Sequence, residues 1–110
     1  MLPKKNRADK KQIEEIFKKG RFLGSSNLTF RFLLSHPNRQ ISFLAPKSVA
    51  KLAVKRNLLR RRGYSALKKY LELFPAGILG AFTFRKPLGS VFEVESEVKT
   101  ILSKLENESR

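Results

Sequence analysis

The segment from Lys47 to Lys69 constrains the fold more than any other part of the chain. It carries nine basic side chains, Lys47, Lys51, Lys55, Arg56, Arg60, Arg61, Arg62, Lys68 and Lys69, and no acidic one. Its apolar residues are not scattered. At about 100° per residue, Leu52, Leu59, Ala66, Leu67 and Tyr70 fall on one side together with Gly63, so Val49–Leu71 reads as the dominant helix with one stripe turned to a core. Arg56, Asn57, Arg60, Arg61, Tyr64 and Lys68 sweep one flank of the stripe; Lys51, Lys55, Arg62 and Lys69 occupy the other. Repulsion among so many like charges opposes folding unless solvent or a polyanion relieves it. Gly63 costs the helix about 1 kcal/mol relative to Ala. On a buried stripe it suits either a close approach by a neighbouring element or a local kink.

The other segments supply layers for that helix to pack on. Asp9 is a helix cap, and Ile13, Ile16 and Phe17 share one side of a helix that runs to Lys19 and stops at Gly20. Gly24-Ser25-Ser26-Asn27 reads as a flexible connector, with a short extra strand around residue 22. In Leu28–Leu34, Leu28, Phe30, Phe32 and Leu34 alternate onto one face and Thr29, Arg31 and Leu33 onto the other, the pattern of a strand. A turn at Ser35-His36-Pro37-Asn38 leads to a second strand, Gln40–Ala45, expected antiparallel to the first and ended by Pro46. Pro75 and Gly77 precede a strand at Ile78–Phe84 that Gly80 weakens. A basic loop, Arg85–Gly89, leads into a last helix, Val91–Leu105, with Val91, Val94, Val98, Ile101, Leu102 and Leu105 as its apolar set. The order α-β-β-α-β-α describes a single α/β domain over residues 1–110, one sheet layered with helices.

Charge narrows the partner. The net charge is +15, and it is segregated: residues 1–71 hold 19 basic and three acidic side chains, whereas residues 72–110 hold five and six. Such a field attracts polyanions and gains free energy from released counterions. An anionic membrane competes for that role, but the cations are interleaved with a complete core pattern, which favours nucleic acid. Arginine forks onto phosphate oxygens, and Asn57 both donates and accepts towards a base edge or ribose. A second basic patch is the amino-terminal arm, Lys4, Lys5, Arg7, Lys10 and Lys11. A third surface combines Phe17 with the strand face that carries Arg31, since rings and guanidinium planes stack on unpaired bases. Phe30 and Phe32 alternate with Leu28 and read as core instead.

Catalytic groups are sparse. There is no Cys, and His36, the one histidine, sits in a turn beside Pro37. A zinc set is therefore excluded. Residues 16–71 hold no carboxylate, so a two-metal nuclease centre cannot be assembled there. Neither a phosphate-binding GxxxxGK[ST] loop nor a dinucleotide glycine fingerprint occurs. No apolar run approaches the roughly 18 residues of a membrane span, and the basic start lacks the apolar stretch of a secretory signal.

The stretch Ala53-Val54-Lys55-Arg56-Asn57-Leu58-Leu59-Arg60-Arg61 resembles the Arg-Asn motif helix of the bacterial ribonuclease P protein family. Leu2-Pro3 with Arg7, Phe17-Lys18-Lys19-Gly20-Arg21, and Ile41-Ser42-Phe43 with Lys47 are similar to other parts of that family in order and spacing. The resemblance implies a two-layer α/β sandwich: one central, mostly antiparallel sheet, about three helices and a left-handed βαβ crossover. It implies a ribonucleoprotein endonuclease that removes the 5′ leader of precursor tRNA, with catalysis by the RNA subunit and Mg²⁺ held chiefly by RNA. Lys51, Lys55, Arg56, Asn57, Arg60, Arg61 and Lys68 would bind the catalytic RNA, while Ile13, Phe17 and Arg31 would receive the single-stranded leader. Ile13 stands where the family often has Phe, Arg31 where an aromatic lines the leader cleft, Leu58 where an Arg is common, and Tyr64 where another Arg is usual. The implied partners are the catalytic RNA and precursor tRNA, with no membrane and no obligate protein partner, in the cytoplasm. A ribosomal or other structural RNA-binding protein is the alternative that the charge alone leaves open.

Overall fold

Asp9 caps the first helix reciprocally. Its carboxylate accepts from the Gln12 N–H at 2.8 Å while the Gln12 side chain accepts from the Asp9 N–H, also at 2.8 Å, so two donors at the helix start are satisfied. The computed structural model describes residues 6–34 and 37–108. In chain order these form α1 (Lys10–Lys19), β1 (Arg21–Gly24), β2 (Leu28–Leu33), β3 (Gln40–Leu44), α2 (Ala53–Lys68), a 3-10 turn (Leu71–Leu73), β4 (Leu79–Phe84) and α3 (Val91–Glu108). Lys4, Lys5 and the turn at His36 lie outside the described residues.

The four strands make one mixed sheet in the order β1-β2-β4-β3. β1 pairs antiparallel with β2 and β2 antiparallel with β4, whereas β3 runs parallel to β4. The sheet is thus mostly antiparallel, and β3-α2-β4 is its βαβ unit. β3 does run opposite to β2, but the two are not neighbours: β4 lies between them. The segment between β2 and β3 therefore joins two strands that are not neighbours in the sheet. Sequence alternation marks a strand without naming its neighbour, and proximity along the chain is a weak guide to it.

The pleat separates two faces. Leu28, Phe30 and Phe32 of β2, Phe82 and Phe84 of β4, and Ile41 and Phe43 of β3 point to the face covered by α2 and α3. There Phe82 stacks between Phe30 and Phe43, with centroids 4.3 and 4.8 Å away, and Phe74 meets Phe30 and Phe82 edge-on. α3 adds Val94, Val98, Ile101, Leu102 and Leu105, as its periodicity predicts; Val91 packs at the margin. Gly80, read as a weak spot, makes room for this stack: a Cβ there would lie 2.5 Å from the Phe30 ring. α1 covers the opposite face, where Ile16 packs on Leu79 and Ala81.

Several boundaries differ from expectation: β3 ends at Leu44 and not Ala45, β4 begins at Leu79 and not Ile78, α2 ends at Lys68 and not Leu71, and α3 runs on to Glu108. Leu34 lies beyond β2 and is exposed, because the chain leaves the sheet after Leu33. The connector Gly24–Asn27 is no loose segment: Glu97 of α3 accepts from the Asn27 N–H at 2.8 Å and from the Ser25 hydroxyl, clamping the β1–β2 turn. The dominant helix begins at Ala53 and not at Val49. Pro46 carbonyl accepts from the Val49 and Ala50 N–H groups, which closes a turn, and Leu52 is extended (φ −81°, ψ 132°) as the residue before the helix. Leu52 consequently drops off the buried stripe and is 60% exposed, while Tyr64, placed by the helical wheel on the cationic flank, is 5% exposed. Gly63 resolves as close packing, since its Cβ position is 2.4 Å from the Phe43 ring.

Candidate nucleic-acid interface

Tyr64 explains how the basic helix is seated. β3 is an edge strand, and its Phe43 N–H points away from β4. The Tyr64 hydroxyl accepts from that N–H at 3.1 Å, and its ring meets Phe43 edge-on at 5.4 Å. A donor on the open edge is thereby satisfied and closed to strand addition at that point. With Gly63 flat on Phe43 and Tyr64 hooked over the strand edge, α2 is fixed on β3 in height and rotation.

The cations of α2 then have only certain places to go. Lys51, Lys55, Asn57, Arg61 and Lys68 are exposed, and Arg56 and Arg60 are half-buried. Arg56 donates to the Ala50 carbonyl at 3.1 Å and the Lys51 carbonyl at 2.7 Å, holding the turn before the helix. Arg60 donates to the side-chain oxygen of Asn57. No carboxylate of the described residues forms an ion pair with Lys51, Lys55, Arg56, Arg60, Arg61 or Lys68. Acidic groups are engaged elsewhere: Glu97 on the β1–β2 turn, Glu93 on the Gly89 N–H at 2.9 Å, and Glu95 on Lys69 at 3.1 Å. Lys69 thus faces α3. Arg62, on the same side by sequence, donates to the Leu88 carbonyl at 2.7 Å and ties α2 to the loop before α3. Lys69 and Arg62 thus make contacts within the protein, as Arg56 does with the turn before the helix, whereas Lys51, Lys55, Arg61 and Lys68 have no carboxylate partner among the described residues.

The arm extends this surface. Residues 6–8 run along β3, where the Ala8 carbonyl accepts from the Ser42 hydroxyl at 3.0 Å and the Asn6 amide donates to the Arg39 carbonyl at 3.5 Å. Arg7 lies over the Tyr64 ring, 5.7 Å from its centre. Arg7, Ala8 and Ile13 from the amino-terminal side, Ser42 and Leu44 from β3, and Tyr64 from α2 line an open groove of about 350 Å³. Arg60 and Lys68 stand one turn to either side of Tyr64, so the groove opens beside the cationic flank. Lys10 and Lys11 are exposed at the start of α1.

The sheet links this groove to a second feature. Phe22, Arg31, Ala81 and Ser42 are paired neighbours across β1, β2, β4 and β3, one row on the α1 face. Ser42 ends the row in the groove. At the other end the Arg31 guanidinium lies over two rings, 5.4 Å from the centre of Phe17 on α1 and 5.2 Å from that of Phe22 on β1. Both rings are large and open, 44% and 53% exposed. Phe17 and Arg31 are therefore brought together as expected, while Ile13 belongs to the groove beside Arg7. Phe22 is a member that sequence reading passed over. The signal was present: a hairpin turning between residues 26 and 27 sets residue 22 opposite residue 31.

Among the described residues no group of three or more His, Cys, Asp or Glu side chains converges to hold a metal ion. No helix of the described residues is long and apolar enough to cross a membrane.

Comparison with known proteins gives this surface a context. No curated protein matches the chain in sequence. Its fold is similar to the RNase P protein of Staphylococcus aureus, at a TM-score of 0.77 and 13% identity over 94% of this chain and 96% of that one. It is equally similar to the RNase P protein of Thermotoga maritima, at a TM-score of 0.76 and 18% identity over 89% of this chain and 96% of that one. The model of the family described as Ribonuclease P matches residues 2–106, nearly the whole chain. The chain belongs to the ribonuclease P protein family and serves the RNA-based maturation of tRNA 5′ ends.

Proposed function

We propose that the exposed flank of α2 binds the catalytic RNA and that the α1 face of the sheet holds the single-stranded leader of precursor tRNA. One observation carries this reading. A helix whose cations have no carboxylate partner among the described residues borders a groove, and a row across the sheet joins that groove to an open cluster of two rings and a guanidinium. Folded RNA supplies phosphates for the first, and a single strand supplies unstacked bases for the second. The row crosses three strand spacings, on the order of 14 Å, so one short single strand reaches from the groove to Phe22.

In this reading Lys51, Lys55, Asn57, Arg60, Arg61 and Lys68 contact phosphates and riboses of the catalytic RNA. Arg56 shapes the turn that presents Lys51 and offers its remaining donors outward. Arg7, Lys10 and Lys11 continue the same cationic track, and Lys4 and Lys5 precede them in the sequence. Two polyanions must meet for cleavage, and a cationic layer between them lowers the electrostatic cost of that approach. The protein supplies no nucleophile. Hydrolysis is assigned to the RNA subunit with Mg²⁺ held chiefly by RNA, in the cytoplasm, where tRNA precursors are processed.

Reconstitution with the catalytic RNA tests the reading. The holoenzyme should bind precursor tRNA more tightly than mature tRNA by a margin that disappears when the protein is omitted, and footprints should place α2 on the catalytic RNA. Cleavage of precursor tRNA by the RNA-free protein in Mg²⁺, or equal affinity for both substrates, would refute it.

A further inference from the structure

We propose that Arg31 makes this protein selective for guanine at one position of the bound strand. The inference rests on the α1 face being the leader site and adds what that site recognises.

Arg31 occupies an unusual place. Its backbone is in the middle of β2, paired with Phe22 on one side and Ala81 on the other. Ala81 is small and buried beneath α1, so the long side chain turns towards the β1 side, where Phe17 and Phe22 cover the guanidinium. Contact with two rings offsets part of the cost of removing the cation from water and limits its rotation. No hydrogen bond or ion pair joins its guanidinium to any acceptor of the described residues. The outcome is a planar set of donors held beside two exposed rings, with its N–H edge claimed by no acceptor of the described residues.

A phosphate could take that edge, but any nucleotide carries one, and two flanking rings add nothing to phosphate binding. The rings favour a base. Among the bases, guanine presents O6 and N7 as adjacent acceptors that match the guanidinium fork. Adenine places its N6 amino donor beside N7 and meets donor with donor. Uracil sets an N–H beside its carbonyl. Cytosine offers O2 and N3, but its single ring covers less of Phe17 and Phe22 than a purine does. Guanine alone combines the paired acceptors with a two-ring surface. Phe17 and Phe22 supply stacking that accepts any base, and Arg31 supplies the discrimination.

The experiment uses the reconstituted holoenzyme and precursor tRNAs whose leaders carry each of the four bases in turn at each position. Competition between substrates reads relative kcat/KM. At one position guanine should exceed adenine by about tenfold. 7-Deazaguanine, which keeps O6 and loses N7, should forfeit most of that advantage. Arg31→Lys, which keeps the charge but lacks the fork, should reduce the preference to about twofold or less. Leader dependence in the wild-type protein with no position favouring guanine would overturn the proposal and leave the leader site standing. A guanine preference that survives Arg31→Lys would overturn it as well. If leader-bearing and leaderless substrates bind alike, the leader site itself fails.

Discussion

Replacing Gly63 by Ala sets two effects of opposite sign against each other. Helix propensity favours Ala by about 1 kcal/mol in the interior of α2. Packing opposes it. The new Cβ would lie 2.4, 2.5 and 2.8 Å from three carbons of the Phe43 ring, about 1 Å inside ordinary contact. Phe43 cannot yield easily, because it is stacked on Phe82 at 4.8 Å with an 11° interplanar angle and bounded by Tyr64 and Phe84. Overpacking of this kind costs about 1–3 kcal/mol. The shift this forces on α2 also breaks the Tyr64 bond to the edge strand, adding about 1 kcal/mol. The net expectation is destabilisation by about 1–3 kcal/mol, a fall in Tm of roughly 4–8 °C per kcal/mol. Urea denaturation followed by circular dichroism, with calorimetry, measures it. A Gly63→Ala protein as stable as the wild type, or more so, would show that propensity decides and that the tight Gly63–Phe43 contact carries no weight.

Tyr64→Phe removes only a hydroxyl and leaves the Phe43 N–H without its partner; a loss of about 1–3 kcal/mol in stability is expected, and a neutral result would mean that water replaces the bond. Arg56→Ala with Arg60→Ala should weaken catalytic RNA binding and reduce the log–log salt slope by about 1 for each lost phosphate contact; an unchanged slope in a salt titration would remove both from the interface. Lys69→Ala is the matched contrast, since Lys69 is committed to Glu95, and its slope should stay within error of the wild type. Phe17→Ala should lower affinity for leader-bearing precursor by about 1–3 kcal/mol while sparing mature tRNA; equal losses for both would contradict a leader contact.

The sequence was most informative where one local rule acts alone. Asp9 and Gly20 bound α1 by capping, and the valine and leucine spacing of α3 predicts its buried face. The cationic flank of α2 was legible because charge can be counted without knowing the fold. Legibility ended where position depends on a distant partner. Nothing local to Gln40–Leu44 says that β4 and not β2 will be its neighbour. Tyr64 reads as part of a basic flank until the edge of β3 arrives beside it, and its hydroxyl then has a buried N–H to satisfy. The helical wheel placed Leu52 with the core because it assumed an unbroken helix from Val49, whereas the turn closed by Pro46 resets the rotation before Ala53. Phe17 and Arg31 were identified as a stacking surface, but their meeting with Phe22 follows from hairpin register.

The strand order has a consequence for how the molecule is made. Within the sheet β4 lies between the β1–β2 hairpin and β3, and it comes late, at residues 79–84. Until it has left the ribosome, the Phe30 and Phe43 surfaces have no Phe82 ring to share and β2 and β3 have no strand between them. Completion of the sheet also brings together residues as far apart as Leu28 and Phe84, a long loop closure that slows folding. During synthesis, then, the most cationic part of the polypeptide is exposed before the core that orients it exists. Binding of RNA to the finished form, which alone has the helix correctly aimed, draws the equilibrium towards the folded state in proportion to RNA concentration.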